Sequence, residues 1–215
     1  MTSASGIQFE LWADRSQLWV LFMTKLLCVY CSSSDRLNPK YYAAATELGQ
    51  EMVARGWGLV YGGGKTGLMG AVARAVKTGG GRVVGVIPEF MKARELAYDE
   101  ADELLTVVTM RERKLLMETR ADAFVSLPGG FGTLEEIMEI LTLRQLEVVT
   151  KPCVFLNQDG FYDPLLTLFE TMLREKFFKP SNMDLFRVAA KVSEIFGKIE
   201  EAAGIKAESK WFETR

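Results

Sequence analysis

Histidine is absent from this chain of 215 residues. Without it neither a Ser-His-Asp nor a Cys-His nucleophile can be assembled, and the commonest zinc ligand is missing. General acid–base work near neutral pH then falls to carboxylates, lysine, tyrosine or water. Cysteine is scarce as well. Cys28, Cys31 and Cys153 are an odd number, suited to a reducing cytosol rather than to a disulfide framework. Cys28 and Cys31 make a C-x-x-C, but KLLCVYC reads as a strand, where positions three apart face opposite sides. Two buried structural cysteines are expected there, not a redox pair.

Nor is there an excess of positive charge. Lys and Arg number 26 against 28 Asp and Glu, a net charge of −2, which offers no general attraction to nucleic acid or to an anionic membrane. Any phosphate site must be local, made from loop amides and a few placed cations. Long hydrophobic runs are missing too: Leu18–Met23 is far too short to cross a bilayer. The expectation is a cytoplasmic protein with an appendage over 1–22, one domain over 23–203 and a loose tail over 204–215.

What is present is the composition of a folded domain, 48% apolar and 25% charged. From Lys25 onward, short apolar runs alternate with helical stretches. The runs are LLCVY (26–30), GLVY (58–61), RVVGVIP (82–88), DAFVSLP (122–128) and PCVFLN (152–157), each suited to a strand covered on both faces. A first helix has Asn38 as N-cap, Pro39 in its first turn and Gly56 at its end. Others are expected over 67–77, 110–120, 133–147, 162–176 and 184–201. This alternation predicts an α/β fold: a doubly wound, Rossmann-like parallel sheet in three layers, with strand order 3-2-1-4-5. The order reverses between strands 1 and 4, where ligands bind. The loops CSSSD (31–35) and PGGFGT (128–133) then face each other across that switch point.

Two junctions run strand–glycine–helix, VYGGGKTGLMGAVA (60–73) and LPGGFGTLEE (127–136). Glycines let a backbone approach a phosphate, and the following helix start presents amides and a positive dipole end. Residues 62–67 satisfy G-x-G-x-x-G, with Glu89 about twenty residues on, but the loop follows the second strand rather than the first. Gly64-Lys65-Thr66 resembles a P-loop, yet Leu59 stands where its first glycine belongs. A tight packed turn explains this junction as well as a ligand does. At the second, Thr133 and Glu136 are spaced as a capping box, which would account for T-x-x-E without any ligand. It does not account for three glycines ahead of it. Arg111, Arg113 and Lys114 open another helix at its electrostatically unfavourable end, where they are either solvated or countercharge for a phosphate.

Together, the serines after strand 1, YGGGKTGLMGAVA, GVIP, M-x-x-R-K at 110–114 and P-G-G-x-G-T-x-x-E at 128–136 resemble the Lonely Guy family of cytokinin riboside 5′-monophosphate phosphoribohydrolases, once mislabelled lysine decarboxylases. The resemblance runs from about Lys25 to Ala203. It implies hydrolysis of the N-glycosidic bond of N6-substituted adenosine monophosphates, and of AMP, to free base and ribose 5-phosphate. It further implies Glu136 and Arg113 as the catalytic pair. Gly129, Gly130, Gly132, Thr133, Ser33 and Lys114 would contact phosphate and ribose, and Glu95 would lie near the base. A homodimer with its site near the interface is implied, with no metal and no cofactor. The chain departs from the family pattern at Leu143, Glu147 and Val149, where Trp, Gly and His are usual, and at Arg111, where His is usual. These positions bear on base preference and assembly more than on the reaction. A competing reading is a nucleotide or molybdenum-cofactor carrier on the same fold, binding without catalysis. A dinucleotide oxidoreductase fails on the placement of its fingerprint.

Overall fold

A strand flanked by helices on both sides can be apolar at every position, and five of the strands behave this way. The computed structural model describes residues 25–92 and 96–205, so the appendage over 1–22 and most of the tail lie outside the described residues. The fully buried strands are β1 (Leu26–Tyr30), β2 (Gly58–Tyr61), β3 (Val83–Pro88), β5 (Ala123–Ser126) and β6 (Cys153–Leu156). Two more, β4 (Glu103–Val107) and β7 (Arg187–Ala189), close the edges. All seven pair in parallel in the order β4-β3-β2-β1-β5-β6-β7. The order read from sequence is thus the centre of the sheet, extended by one strand on each side.

Among the described residues six α-helices flank the sheet, α1 (Pro39–Ala54), α2 (Gly67–Thr78), α3 (Met110–Arg120), α4 (Phe131–Gln145), α5 (Asp163–Arg174) and α6 (Ile195–Ala202); the first five lie in crossovers and α6 follows β7. Leu27 and Val29 of β1 face the core under α1, α2 and α6; Leu26, Cys28 and Tyr30 face the core under α3, α4 and α5. Cys31 joins the first core and Cys28 the second, so the C-x-x-C pair does point to opposite faces, both thiols buried and in no disulfide. Asn38 caps α1 through its Oδ1, which accepts from the Lys40 N–H at 3.1 Å.

Three expectations are corrected. Residues 184–201 are not one helix: a 3-10 turn ends at Leu185, β7 follows, and only Ile195–Ala202 is α-helical. Both missed strands lie at edges with partly exposed side chains, so they lack the continuous apolar signature. The helix expected from Thr133 begins instead at Phe131, with Gly130 as N-cap, so Thr133 and Glu136 are no capping box. A capping box does exist one crossover earlier, where Thr109 and Glu112 bond each other's backbone at the start of α3.

Candidate active site

At the C-terminal ends of β1 and β5, the helix starts of α3 and α4 and the serine loop after β1 surround a cavity of about 310 Å³. It lies at the switch point, since β2, β3 and β4 extend to one side of β1 and β5, β6 and β7 to the other. Its walls include Ser32, Ser33, Ser34, Gly130, Gly132, Thr133, Glu136 and Arg113, with Met69, Met91 and Met110 as an apolar side.

Arg113 is 5% exposed and Glu136 9%. A buried charge persists only when it is paired and hydrogen-bonded, and Arg113 meets both conditions. Arg113 Nη1 lies 3.8 Å from Glu136 Oε1, Nε donates to the Val86 carbonyl at 3.2 Å, and Nη2 donates to the Gly62 carbonyl at 3.1 Å. Gly62 is required for this: a Cβ there would sit 1.9 Å from Arg113 Nη2. The strand β3, the residue that follows β2 and the helix α4 therefore fix the guanidinium. Its neighbour Lys114 faces the other way, bound to Glu135 and, at 3.0 Å, to Glu139, which ties α3 to α4. Desolvation opposes the Lys114 charge, but those two carboxylates hold its pKa above the ordinary value. Under Glu136, burial above all pushes the Cys28 thiol and the Tyr30 phenol upward, with the carboxylate adding to it. Both stay protonated, and neither can serve as a base.

The start of α4 is open. No side chain caps it, and its first internal bond runs from the Leu134 N–H to the Gly130 carbonyl at 3.0 Å, so the amides of Phe131, Gly132 and Thr133 precede that bond. A Cβ at Gly130 or Gly132 would meet nothing within 4 Å, whereas at Gly129 it would sit 2.1 Å from Thr133 Oγ1. Gly129 thus lets Thr133 fold back over the loop, and Gly130 and Gly132 keep the mouth clear. Uncapped amides at the positive end of a 15-residue helix form a ready anion site.

The structure brings Ser33, Gly130, Gly132, Thr133, Arg113 and Glu136 to one cavity. Gly129 borders an adjoining apolar cavity instead, beside Tyr41 and Phe161. Lys114 does not line the cavity; it is held by Glu139 and by Glu135, the latter at the cavity wall. Glu95 lies outside the described residues. Leu143, Glu147 and Val149 do not line the cavity either. Leu143 and Val149 belong to the core under α3–α5, and Glu147 stands at φ +61°, a conformation that favours the glycine of the family pattern. Gly62 and the three methionines were not expected as site residues. Gly62 had a signal in its triplet of glycines; the methionines had none beyond their apolar character. Among the described residues, no cluster of three or more Cys, Asp or Glu could hold a metal ion, and no helix is long and apolar enough to cross a membrane.

Residues 69–199 match the family described as possible lysine decarboxylase. Over 175 residues, 81% of this chain and 77% of the relative, the sequence is 46% identical to a probable cytokinin riboside 5′-monophosphate phosphoribohydrolase of Oryza sativa subsp. japonica. Over 177 residues, 82% of each chain, it is 44% identical to a cytokinin riboside 5′-monophosphate phosphoribohydrolase of Arabidopsis thaliana. Among solved structures, the molybdenum cofactor carrier protein of Chlamydomonas reinhardtii superimposes with a TM-score of 0.64 at 21% identity, covering 83% of this chain and 98% of that one. At that identity the likeness concerns the fold alone.

Proposed function

This chain belongs to the family described as possible lysine decarboxylase, the Lonely Guy family, and on that premise we propose that it hydrolyses the N-glycosidic bond of cytokinin riboside 5′-monophosphates, and of AMP. The observation that carries the reading is the buried Arg113–Glu136 pair, set in the same cavity as the uncapped start of α4. A 5′-phosphate docks on the amides of Phe131, Gly132 and Thr133, with the Thr133 hydroxyl and the serine loop around it. That anchor sets the ribose against Glu136. Cleavage passes through an oxocarbenium-like state, whose positive charge a carboxylate stabilises while it orients the attacking water. The water oxygen joins C1′ as the C1′–N bond breaks, and the one proton the water gives up passes to Glu136 and from there to the departing base, leaving a hydroxyl on C1′ and the carboxylate restored. Arg113, held by two backbone carbonyls, keeps Glu136 aimed and balances its charge. The methionine side of the cavity receives the base and its N6 substituent. Glu95 is proposed near that base, and Lys114 as a tie between α3 and α4 rather than a phosphate contact.

The same reading makes the protein a cytoplasmic homodimer with the site near the interface. Phe131 at the start of α4, Val108 just before α3 and Leu115 midway along α3 support the dimer as exposed apolar side chains, and sedimentation equilibrium measures it. The function is tested with wild type and Glu136→Gln on isopentenyladenosine monophosphate and AMP, scoring free base and ribose 5-phosphate. Release by wild type alone supports the assignment. Equal release by both removes Glu136 from the chemistry, and binding without release from either substrate moves the protein to a carrier.

A further inference from the structure

The loop that carries the open helix start holds three glycines in residues 128–133, so its own backbone does little to restrain it. Its entry point is the Leu127–Pro128 peptide. β5 ends at Ser126, and the Leu127 N–H still donates to the Tyr30 carbonyl at 2.9 Å. The Leu127 carbonyl lies beyond the strand and takes its hydrogen bond from a side chain: Tyr162 Oη donates to it at 2.7 Å. Tyr162 Oη also lies 2.7 Å from Ser126 Oγ, while Ser126 Oγ is 3.5 Å from the Leu127 carbonyl. A phenol has one hydrogen, so with Tyr162 committed to Leu127 the Ser126 hydroxyl is the donor to Tyr162. The result is a directed relay, Ser126 to Tyr162 to the carbonyl of the peptide that opens the loop.

Tyr162 is itself held on several sides. Its N–H donates to Asn157 Oδ1 at 2.7 Å, Asn157 Nδ2 donates to Asp163 Oδ1 at 2.7 Å, and its ring meets Phe155 edge-on with centroids 5.0 Å apart. Burial pushes its phenol well above the ordinary range, so the hydroxyl remains a donor at every working pH. Nothing in the proposed chemistry uses Tyr162, which does not line the cavity.

We infer that Tyr162, through its hydrogen bond to the Leu127 carbonyl, is a positioning residue that aims the 128–133 loop and thereby sets affinity for the phosphate end of the ligand. This rests on the proposed function only in placing the phosphate on α4. The test is calorimetric titration of wild type, Tyr162→Phe and Ser126→Ala with ribose 5-phosphate and, separately, with the free base, alongside a thermal melt. Tyr162→Phe is expected to weaken ribose 5-phosphate about tenfold, the size of one lost hydrogen bond, and to leave the base within twofold. Ser126→Ala keeps the bond to Leu127 and is expected to weaken ribose 5-phosphate by about two- to threefold. Equal loss for both ligands, unchanged ribose 5-phosphate affinity, or no ribose 5-phosphate binding to wild type overturns the inference. Should Tyr162→Phe melt below the titration temperature, Ser126→Ala decides: selective weakening supports the strut, and no change or an equal loss overturns it. No turnover is required, so a chain that binds ribose 5-phosphate yet hydrolyses nothing refutes the proposed function while the strut is judged on binding.

Discussion

The loops 62–67 and 128–133 both lead glycines from the end of a strand into a helix, and they finish in opposite states. At the first, the start of α2 is filled by the chain itself. The Gly67 N–H donates to Asp35 Oδ1 at 2.7 Å, and the Leu68 and Met69 amides approach the Ser32 carbonyl at 2.9 and 3.4 Å. Its glycines make room for protein, Gly62 for Arg113 and Gly67 for the Ser33 backbone, and within α2 Gly70 does the same for the Lys65 carbonyl. At the second, the start of α4 has no side-chain cap, and Gly130 and Gly132 have open space where a Cβ would be. A glycine-rich junction therefore does not define an anion site. The site arises where the amides stay unclaimed.

The largest effect that can break this contrast is on Glu136. Glu136→Gln is expected to retain the wild-type melting temperature within a few degrees while hydrolysis falls about 10²–10⁴-fold; retained turnover would remove the chemistry from the α4 junction. Gly67→Ala comes next. Gly67 has φ +59°, and an added Cβ would lie 2.5 Å from the Ser33 carbonyl carbon, so a loss of roughly 2–5 kcal/mol is expected in chemical denaturation. Gly132→Ala should do the reverse. Stability changes by less than about 1 kcal/mol, because the position is helical and roomy, while KM for the monophosphate rises several-fold as the methyl enters the cradle. A stability loss at Gly132 as large as at Gly67 would erase the distinction. The smallest change is Asp35→Ala, which removes the bond to the Gly67 amide and is expected to lower stability by about 1 kcal/mol with kcat unchanged.

Much of this was legible beforehand. LLCVY, GLVY, RVVGVIP, DAFVSLP and PCVFLN are strands because burial on both faces demands continuous apolar side chains, a signal a one-dimensional reading can detect. β4 and β7 escaped because an edge strand with mixed burial owes its existence to its neighbour's ladder rather than to its composition. T-x-x-E misled at Thr133 and is realised at Thr109, since the motif states a spacing and not where a helix starts. Lys114 shared a basic run with Arg113, yet one helix position turns a side chain by about 100°, which sends one inward and the other to Glu135 and Glu139.

Local periodicity and the placing of glycines are properties of neighbouring residues, so the alternation of strands and helices, the parallel core and the two glycine junctions follow from the order of amino acids. Which junction is open does not. Asp35 reaches Gly67 across 32 positions, and Arg113 reaches Gly62 across 51. Those contacts exist only once the sheet has brought the strand ends together, and hydrogen-bond competition among groups so far apart in the chain leaves α2 closed and α4 free.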